Sequence, residues 1–439
     1  MLDARTDALP EEYSLDACTA ASATPAATID LVYFNAGGGH RTSALALQAV
    51  IEEQRRPWRV RLVNLTEVLD AKDVFRRVTG MAPEHIYNVR LQRGWTLGLA
   101  QELKLLQTLI RLGHRPMLHV LQQHWRRTRP DLVVSLIPNF NRVLYDSVTT
   151  SLPGVPYVTV MTDLADHPPH FWIEPGQAQH IVCGTPRAVQ QALSMGYPRD
   201  RLHLVSGMIL RPQFYRLPPL DRDAARRELG LDPQRPTGVV MFGGHGSRAM
   251  LDIARQLHDL PLILICGHNA PLAESLRRAP AAAPRVVLGF TPDVVGVMRL
   301  GDYFIGKPGP ASLSEAVHLG LPVVTVRNAW TMPQERYNTQ WVRDHGLGVV
   351  HGSFRTIRPA VEDVLARLPE FQRNLRAIRN RAVFEVLEIF AGILAGAATG
   401  TAATSQCPLP RLQPDRPAAE ARAFAGNTLA RGLTEPWQK

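Results

Sequence analysis

Short apolar runs alternate with stretches of helical periodicity along most of this chain. The runs that predict strands are IDLVYFN, RVRLVNL, PDLVVSLIP, PYVTVMTD, HIVCGT, GVVMFGG, PLILICG, RVVLGF, YFIGK and LPVVTV. Strands that alternate with helices form parallel sheets joined by right-handed crossover connections. The pattern therefore predicts the α/β class, with doubly wound parallel sheets.

The alternation breaks once, in the stretch RLHLVSGMILRPQFYRLPPLDRD, where prolines and arginines replace the periodic apolar positions. At 439 residues the chain is also longer than the ~250 residues beyond which single cores rarely grow. We therefore predict two doubly wound domains. Their predicted ranges are 28–210 and 221–399, with a linker at 211–220 and disordered ends at 1–27 and 400–439.

Glycines cluster at the ends of three predicted strands. Gly37 to Gly39 follow the first strand, Gly243 and Gly244 follow GVVMF, and Gly309 follows YFIGKP. Ligands of open parallel sheets bind at the carboxyl ends of the strands, where glycine lets the main chain come close. Because these turns lie in both halves, they predict a nucleotide-diphosphate site in a cleft between the domains.

The third turn leads into a helix that is predicted to begin near Ala311. The first amide groups of a helix and the positive end of its dipole suit a phosphate, to which Lys307 adds charge and Ser312 a hydroxyl. One turn further on, a carboxylate at Glu315 can accept both hydroxyls of a ribose. The alternative is that Ser312 and Glu315 only start the helix, as in a capping box.

Other nucleotide and metal motifs fail in detail. GGHGSR lacks the GxGxxG spacing, and neither GxxxxGK[ST] nor HExxH occurs. The DRD stretch from Asp221 to Asp223 follows two prolines and precedes AARRELG, which favours a helix cap over a metal-binding site. The four cysteines are widely separated, without CxxC. We therefore expect no metal and no resident cofactor.

The net charge of +10 is concentrated in one segment. Residues 72–129 contain eleven Lys or Arg and three Asp or Glu. Such a surplus indicates a phosphate-rich partner, either nucleic acid or an anionic membrane, and the lack of a recognition motif disfavours nucleic acid. No apolar run reaches ~18 residues and no secretory leader is visible, so we expect a cytoplasmic protein.

Several longer motifs resemble those of one enzyme family. The stretches NAGGGHRTSALAL, VTVMTDLADHPPHFW, GTPRAVQQALSMGYPRDRLHLVSGMILRPQF, GKPGPASLSEAVHLGLPVV and PQERYN resemble the monogalactosyldiacylglycerol synthase branch of glycosyltransferase family 28. The resemblance extends over about residues 29–381 with the motifs in the same order, and MurG is a more distant relative. It implies the GT-B fold: two Rossmann-like domains, with the nucleotide sugar held mainly by the second.

The resemblance also implies which residues bind a UDP-sugar. Gly38, Gly39 and His40 would face the sugar and the acceptor, Phe290 would border the uracil, and Glu315 would bind the ribose. The implied diphosphate residues are Gly243, Gly244, Gly309, Pro310, Ala311 and Ser312, and the implied sugar residues are Gln334, Glu335 and Asn338.

The chain departs from the family pattern in two places. Ala311 and Ser312 replace a Gly-Thr pair, which keeps the hydroxyl but adds a Cβ atom near the expected phosphate. The sugar loop reads MPQERYN, without the usual glycine before Gln334. The sequence therefore leaves the identity of the sugar open.

The implied reaction is an inverting transfer, in which an acceptor hydroxyl attacks the anomeric carbon from the face opposite the UDP. A hydroxyl nucleophile needs a positioned base, and we expect His40 to be that base because an imidazole exchanges protons near neutral pH. Asp163 is expected to be a second base or to orient His40. The alternatives are that His40 only binds phosphate and that Asp163 only caps a helix before LADH.

We expect a hexose, galactose or glucose, to be transferred to diacylglycerol or a similar membrane lipid, giving a β-glycolipid. The alternatives are a MurG-like transfer of N-acetylglucosamine to another lipid-linked acceptor and a nucleotide-sugar-binding protein without turnover. Leu, Ile, Trp and basic residues at helical spacing within 72–129 predict helices that lie on the inner face of the cell membrane, or else core-facing helices with a solvated basic face. The stretch FEVLEIFAGILAG is either a helix that crosses back to the first domain or a short apolar membrane contact.

Overall fold

The computed structural model describes residues 26–35, 39–70 and 99–399. The disordered ends predicted up to residue 25 and from residue 400, as well as Gly37, Gly38 and residues 71–98, lie outside the described residues. Ala27, the last residue of the predicted N-terminal tail, already belongs to the first strand.

The first sheet contains six parallel strands in the order β2-β1-β3-β4-β5-β6. These are β1 (Ala27–Tyr33), β2 (Trp58–Asn64), β3 (Leu132–Ser135), β4 (Tyr157–Val160), β5 (His180–Cys183) and β6 (Leu202–Leu204). Within the described residues, the helices of this half are α1 (Gly39–Glu53), α2 (Leu65–Leu69), α3 (Leu99–Leu112), α4 (His114–Thr128), α5 (Asn141–Ser151) and α6 (Pro186–Ser194).

The second sheet also has six parallel strands, in the order β12-β11-β10-β7-β8-β9. These are β7 (Gly238–Met241), β8 (Leu262–Ile265), β9 (Arg285–Leu288), β10 (Tyr303–Ile305), β11 (Val323–Val326) and β12 (Gly348–His351). The helices are α7 (Arg222–Glu228), α8 (Ala249–Gln256), α9 (Ala270–Arg278), α10 (Val294–Met298), α11 (Pro310–His318), α12 (Arg336–Asp344), α13 (Arg358–Ala366), α14 (Leu368–Arg376) and α15 (Ala382–Thr399). The four short 3-10 helices are Arg199–Arg201, Pro212–Phe214, Pro333–Glu335 and Phe354–Thr356.

Each sheet is covered by helices, and the predicted α/β class with two Rossmann-like, doubly wound halves is confirmed. The central strands are buried along their whole length, which explains why they read as nearly continuous apolar runs. Two edge strands, β6 and β12, were missing from the prediction. Both are short and only partly buried, so their apolar signal is weak.

Helix α15 follows the second sheet in the chain but packs on the first. Its side chains Val383, Leu387 and Phe390 are fully buried in one cluster with Ile29 of β1 and Leu47 of α1. This segment therefore packs back on the first half. Within the described residues, no helix is long and apolar enough to cross a membrane.

The chain passes between the two halves twice, and the two passes are hydrogen-bonded to each other. The Asn380 side-chain amide donates to the Met208 carbonyl (2.8 Å), and the Arg381 amide donates to Ser206 Oγ (2.7 Å). A Cβ atom at Gly207 would lie 2.7 Å from Asn380 Nδ2, so only glycine permits this approach. We call residues 206–208 and 380–385 the crossover junction.

Candidate functional site

A cleft of about 1310 Å³ lies between the two halves, at the carboxyl ends of both sheets. In the first sheet the strand order changes direction between the adjacent strands β1 and β3, and in the second sheet it does so between β7 and β10. Parallel sheets bind ligands at such switch points, because the loops after the two strands diverge and leave a crevice. The turns after these strands contain most of the residues that the sequence indicated.

Nearly all of the predicted site residues line this one cleft. They are Gly39, His40, Asp163, Gly243, Gly244, Phe290, Lys307, Gly309, Pro310, Ala311, Ser312, Glu315, Gln334 and Glu335. Gly38 lies outside the described residues. Asn338 does not line the cleft, because it is fully buried and its amide donates to the Pro308 carbonyl (2.7 Å). Asn338 thus supports the turn before α11 from behind.

Three loops at the ends of β7, β8 and β9 contact one another on the second-domain side of the cleft. The His268 amide donates to the Gly244 carbonyl (2.9 Å), and the His268 ring stacks on Phe290 with centroids 4.3 Å apart. Gly267 has a positive φ of 58°, and a Cβ atom there would lie 2.1 Å from the Gly244 oxygen. Through His268, these contacts hold the exposed Phe290 ring in a fixed position beside the glycine turn.

Helix α11 begins at Pro310, with Gly309 as its N-cap and no side-chain capping bond. Ser312 is the third residue of the helix and is not its N-cap, so Ser312 and Glu315 do not form a capping box. The main-chain amides of Ala311 and Ser312 belong to the first turn, where helix geometry provides no internal partner, and both residues line the cleft. This is the arrangement that suits a phosphate group.

Two carboxylates on the second-domain side are paired with cations. Lys307 Nζ donates to Glu335 Oε1 (3.0 Å), and Arg211 Nη2 lies 3.5 Å from Glu315 Oε1. Burial raises the pKa of Glu315 to about 7, although Arg211 opposes this shift. Arg211 lines the cleft and was missed by the sequence analysis, which treated it only as the start of the linker.

His40 is the second residue of α1, and its Nδ1 lies 3.1 Å from Thr162 Oγ1. Burial lowers the pKa of His40 to about 4, while a contact with the Leu136 main chain acts in the opposite direction. The ring is therefore neutral at pH 7, which leaves it able to donate one hydrogen bond and accept another.

Asp163 lies in the loop after β4 and accepts a hydrogen bond from the Trp172 indole at Oδ2 (2.9 Å). Burial raises the pKa of Asp163 to about 7, although the Trp172 hydrogen bond opposes the shift. No helix begins after Asp163, so the helix-cap alternative is wrong. Among the described residues, His40 bonds to Thr162 and not to Asp163, so the structure does not show Asp163 orienting the imidazole.

The first-domain end of the cleft is apolar, a feature that the sequence analysis did not assign to residues. The aliphatic and aromatic side chains there are Phe34, Leu69, Leu106, Leu109, Ile110, Met117, Phe140 and Phe171.

Helix α3 contributes Leu106 and Leu109, which are nevertheless 45% and 55% exposed. Helix α4 differs, because Leu121 and Trp125 are fully buried in the core. The core-facing alternative therefore holds for α4, whereas α3 presents leucines at the cleft and to solvent.

The described residues contain no group of three or more His, Cys, Asp or Glu that could hold a metal ion. The two cysteines in this part of the chain, Cys183 and Cys266, are buried free thiols. Asp221 caps α7 by accepting from the Ala224 amide (2.9 Å), so the cap interpretation of the DRD stretch is confirmed.

Comparison with known proteins finds related sequences, although no family model matches the chain. A probable chloroplastic monogalactosyldiacylglycerol synthase 2 of Oryza sativa subsp. japonica is 30% identical over 345 residues, which cover 71% of this chain and 68% of that protein. The chloroplastic monogalactosyldiacylglycerol synthase 3 of Arabidopsis thaliana is 26% identical over 393 residues, covering 82% of this chain and 80% of that protein. A processive diacylglycerol beta-glucosyltransferase of Bacillus pumilus is 25% identical over 280 residues, covering 61% and 69%.

Two solved structures show the same fold at low sequence identity. MurG of Acinetobacter baumannii has a TM-score of 0.55 and 12% identity, and the match covers 83% of this chain and 99% of that one. The calicheamicin glycosyltransferase CalG4 has a TM-score of 0.54 and 14% identity, with 85% and 99% covered. The predicted GT-B architecture is thus confirmed.

The contact between the glycine loops predicts the effect of a single methyl group. In Gly267→Ala the new Cβ would overlap the Gly244 oxygen, so we expect the loop after β7 to shift and the free energy of unfolding to fall by about 1–3 kcal/mol more than in the control. Gly230→Ala is the matched control, because Gly230 also has a positive φ but its Cβ would meet no atom within 4 Å. Unfolding by denaturant measures both variants. Equal free energies of unfolding would contradict the steric role of this contact.

Proposed function

The chain belongs to the family of monogalactosyldiacylglycerol synthases, and from this premise we propose that it transfers galactose or glucose from a UDP-sugar to diacylglycerol or a similar membrane lipid. The observation that carries the proposal is the composition of the cleft. The second-domain side of the cleft contains glycine turns, the start of α11 and Lys307, which together suit a diphosphate, and the first-domain side has an apolar wall that suits acyl chains. His40 and Asp163 line the same cleft.

In this proposal the second domain binds the donor. The diphosphate lies against Gly243, Gly244 and the first turn of α11, whose dipole and amides stabilise the charge that grows on the departing UDP. The uracil lies beside Phe290, and Glu315 accepts the ribose hydroxyls. The loop with Gln334 and Glu335 forms hydrogen bonds to the sugar hydroxyls. Because the helix terminus and Lys307 supply positive charge, we propose that no resident metal or cofactor takes part.

The first domain supplies the proton acceptor. A base is most effective when its pKa is near the working pH, because it is then both deprotonated and strong enough to take a proton. The raised pKa of Asp163, about 7, meets this condition, whereas the lowered pKa of His40, about 4, makes the imidazole a weak base. We therefore propose that Asp163 removes the acceptor proton and that neutral His40 holds the acceptor or sugar by hydrogen bonds.

The acceptor side supports a role at a membrane surface. Leu112, at the end of α3, is 76% exposed and lies three residues after Leu109, which lines the cleft. We propose that these leucines contact the bilayer, so that the enzyme works as a peripheral protein on the inner face of the cell membrane and draws its lipid into the cleft. Arg111, in the last turn of α3, would then face anionic headgroups.

The reaction is tested by its product. The purified chain is incubated with UDP-galactose, UDP-glucose or UDP-N-acetylglucosamine, in the presence of vesicles that contain diacylglycerol. We expect release of UDP and a β-linked hexosyl diacylglycerol, identified by mass spectrometry and by the coupling constant of the anomeric proton. Binding of UDP-sugar without product would favour a non-catalytic protein, and transfer of N-acetylglucosamine only to a lipid-linked sugar would favour a MurG-like activity. Either result would reject the proposal.

The identity of the base is tested by the pH dependence of kcat/KM. A carboxylate base works when deprotonated, so activity should be present above about pH 7 and lost as the pH falls through this value. Asp163→Asn should lower kcat by about 10²-fold or more, and His40→Gln by less. If the acid limb instead lies near pH 4 and His40→Gln is the more damaging change, His40 is the base.

The membrane role of α3 is tested by one added charge. Leu112→Glu should weaken co-sedimentation with anionic vesicles about tenfold, because a leucine that enters the interface contributes roughly 1.5–3 kcal/mol of apolar burial. Leu217→Glu is the control, since Leu217 is also exposed (43%) but belongs to the linker. Equal losses, or no loss, would show that α3 does not touch the bilayer.

A further inference from the structure

A tryptophan that no sequence motif assigned to the chemistry is bonded directly to one of the two catalytic candidates. Trp172 is fully buried, and its indole Nε1 donates to Asp163 Oδ2 (2.9 Å). The described residues provide Asp163 Oδ1 with no hydrogen bond, and Asp163 lines the cleft. One carboxylate oxygen is therefore held from behind, while the other is available to a ligand.

The main chain of Trp172 is fixed at both its polar groups. Its amide donates to Asp166 Oδ1 (2.6 Å), and its carbonyl accepts from Asn141 Nδ2 (2.9 Å). The Asn141 side chain is in turn held by the Tyr157 hydroxyl, which donates to Asn141 Oδ1 (2.9 Å). All five of these residues are buried. The indole ring consequently has a defined position, and it imposes that position on the Asp163 carboxylate.

The charges that face Asp163 come from both halves of the molecule. Asp166, on the same loop, and Glu335, across the cleft, disfavour the ionised carboxylate, whereas Lys307 favours it. Lys307 also donates a hydrogen bond to Glu335 (3.0 Å), so its positive charge acts on both Glu335 and Asp163. The His40 ring, whose centroid is 6.1 Å from that of Trp172, is neutral at pH 7. Among the described residues, the Trp172 indole N–H is therefore the group that donates a hydrogen bond directly to the Asp163 carboxylate.

We infer that Trp172 is a positioning residue for the transfer reaction: its indole N–H holds Asp163 Oδ2, so that Oδ1 meets the acceptor hydroxyl in a fixed orientation and the carboxylate remains ionised often enough to act. The inference rests on the proposed function, in which Asp163 is the base. A hydrogen bond to a charged group is stronger than one between neutral groups, and it is formed here where water does not compete. Trp172 touches neither substrate nor reacting atoms in this scheme.

The test removes the N–H and leaves a ring. In Trp172→Phe the anion loses its donor, so the pKa of Asp163 should rise and the acid limb of kcat/KM should move up by about one pH unit. We expect about a fivefold loss at pH 7 that becomes smaller at pH 9, with an unchanged dissociation constant for UDP. A purely structural role would lower activity equally at all pH values and would not move the limb.

Trp125→Phe is the matched control. Trp125 is also fully buried in the first half, and its indole donates to Ser147 Oγ (2.8 Å) away from the cleft. This variant should show a similar loss of thermal stability with the wild-type pH profile. If Trp172→Phe does not fold, replacement of Trp172 by 3-benzothienylalanine keeps the ring shape and lacks only the N–H. The same shift of the acid limb is expected.

The failure of the inference and the failure of the proposed function give different results. If Asp163→Asn is inactive and both Trp172 replacements keep the wild-type acid limb, Trp172 does not position the base and the inference is rejected, while the proposed function stands. If Asp163→Asn retains activity within about tenfold of wild type, Asp163 is not the base, and the inference is rejected together with the assignment on which it rests.

Discussion

The crossover junction is the constraint on which the site depends. Each sheet has its own core, so nothing within either half determines where the carboxyl ends of the other sheet lie. The junction determines it, because Asn380 and Arg381 bond to the residues that leave the first sheet, and the amide of Ser206 donates to Glu385 Oε2 (2.7 Å). Helix α15 then buries its apolar face in the first core. Two chain passes in contact restrict the relative motion of the halves far more than one linker would.

The two halves contribute different kinds of groups to the cleft, and the physical reason lies in their loops. The second half presents main chain, because its strand-end glycines and the start of α11 leave amides uncovered. The first half presents side chains: a buried carboxylate, a partly buried imidazole and an apolar wall. Burial raises the pKa values of Asp163 and Glu315 to about 7, since the low polarity of the site disfavours their charged forms. Groups so perturbed in a cleft are typical of functional sites.

Helices α3 and α4 show how similar compositions can be used differently. Both mix leucine with basic residues, and sequence periodicity does not separate them. In the structure, α4 packs against α5 and buries Trp125, so its basic residues are the outer face of an ordinary core helix. Helix α3 instead borders the cleft and leaves Leu106, Leu109 and Leu112 exposed. These exposed leucines are the observation on which the proposed bilayer contact rests.

The sequence by itself determined the class of the fold and the backbone side of the site. Strands buried on both faces are visible as apolar runs, and glycine turns such as those at Gly243 and Gly309 are visible because the backbone conformation there depends on local chemistry. Only the tertiary structure determined which residues that are distant in the sequence come into contact. It brought Arg211 to Glu315 and Trp172 to Asp163, and it showed that Asn338 is turned away from the cleft. It also set the order of basicity of Asp163 and His40, because a pKa depends on burial and on neighbours from other elements, which no local pattern encodes.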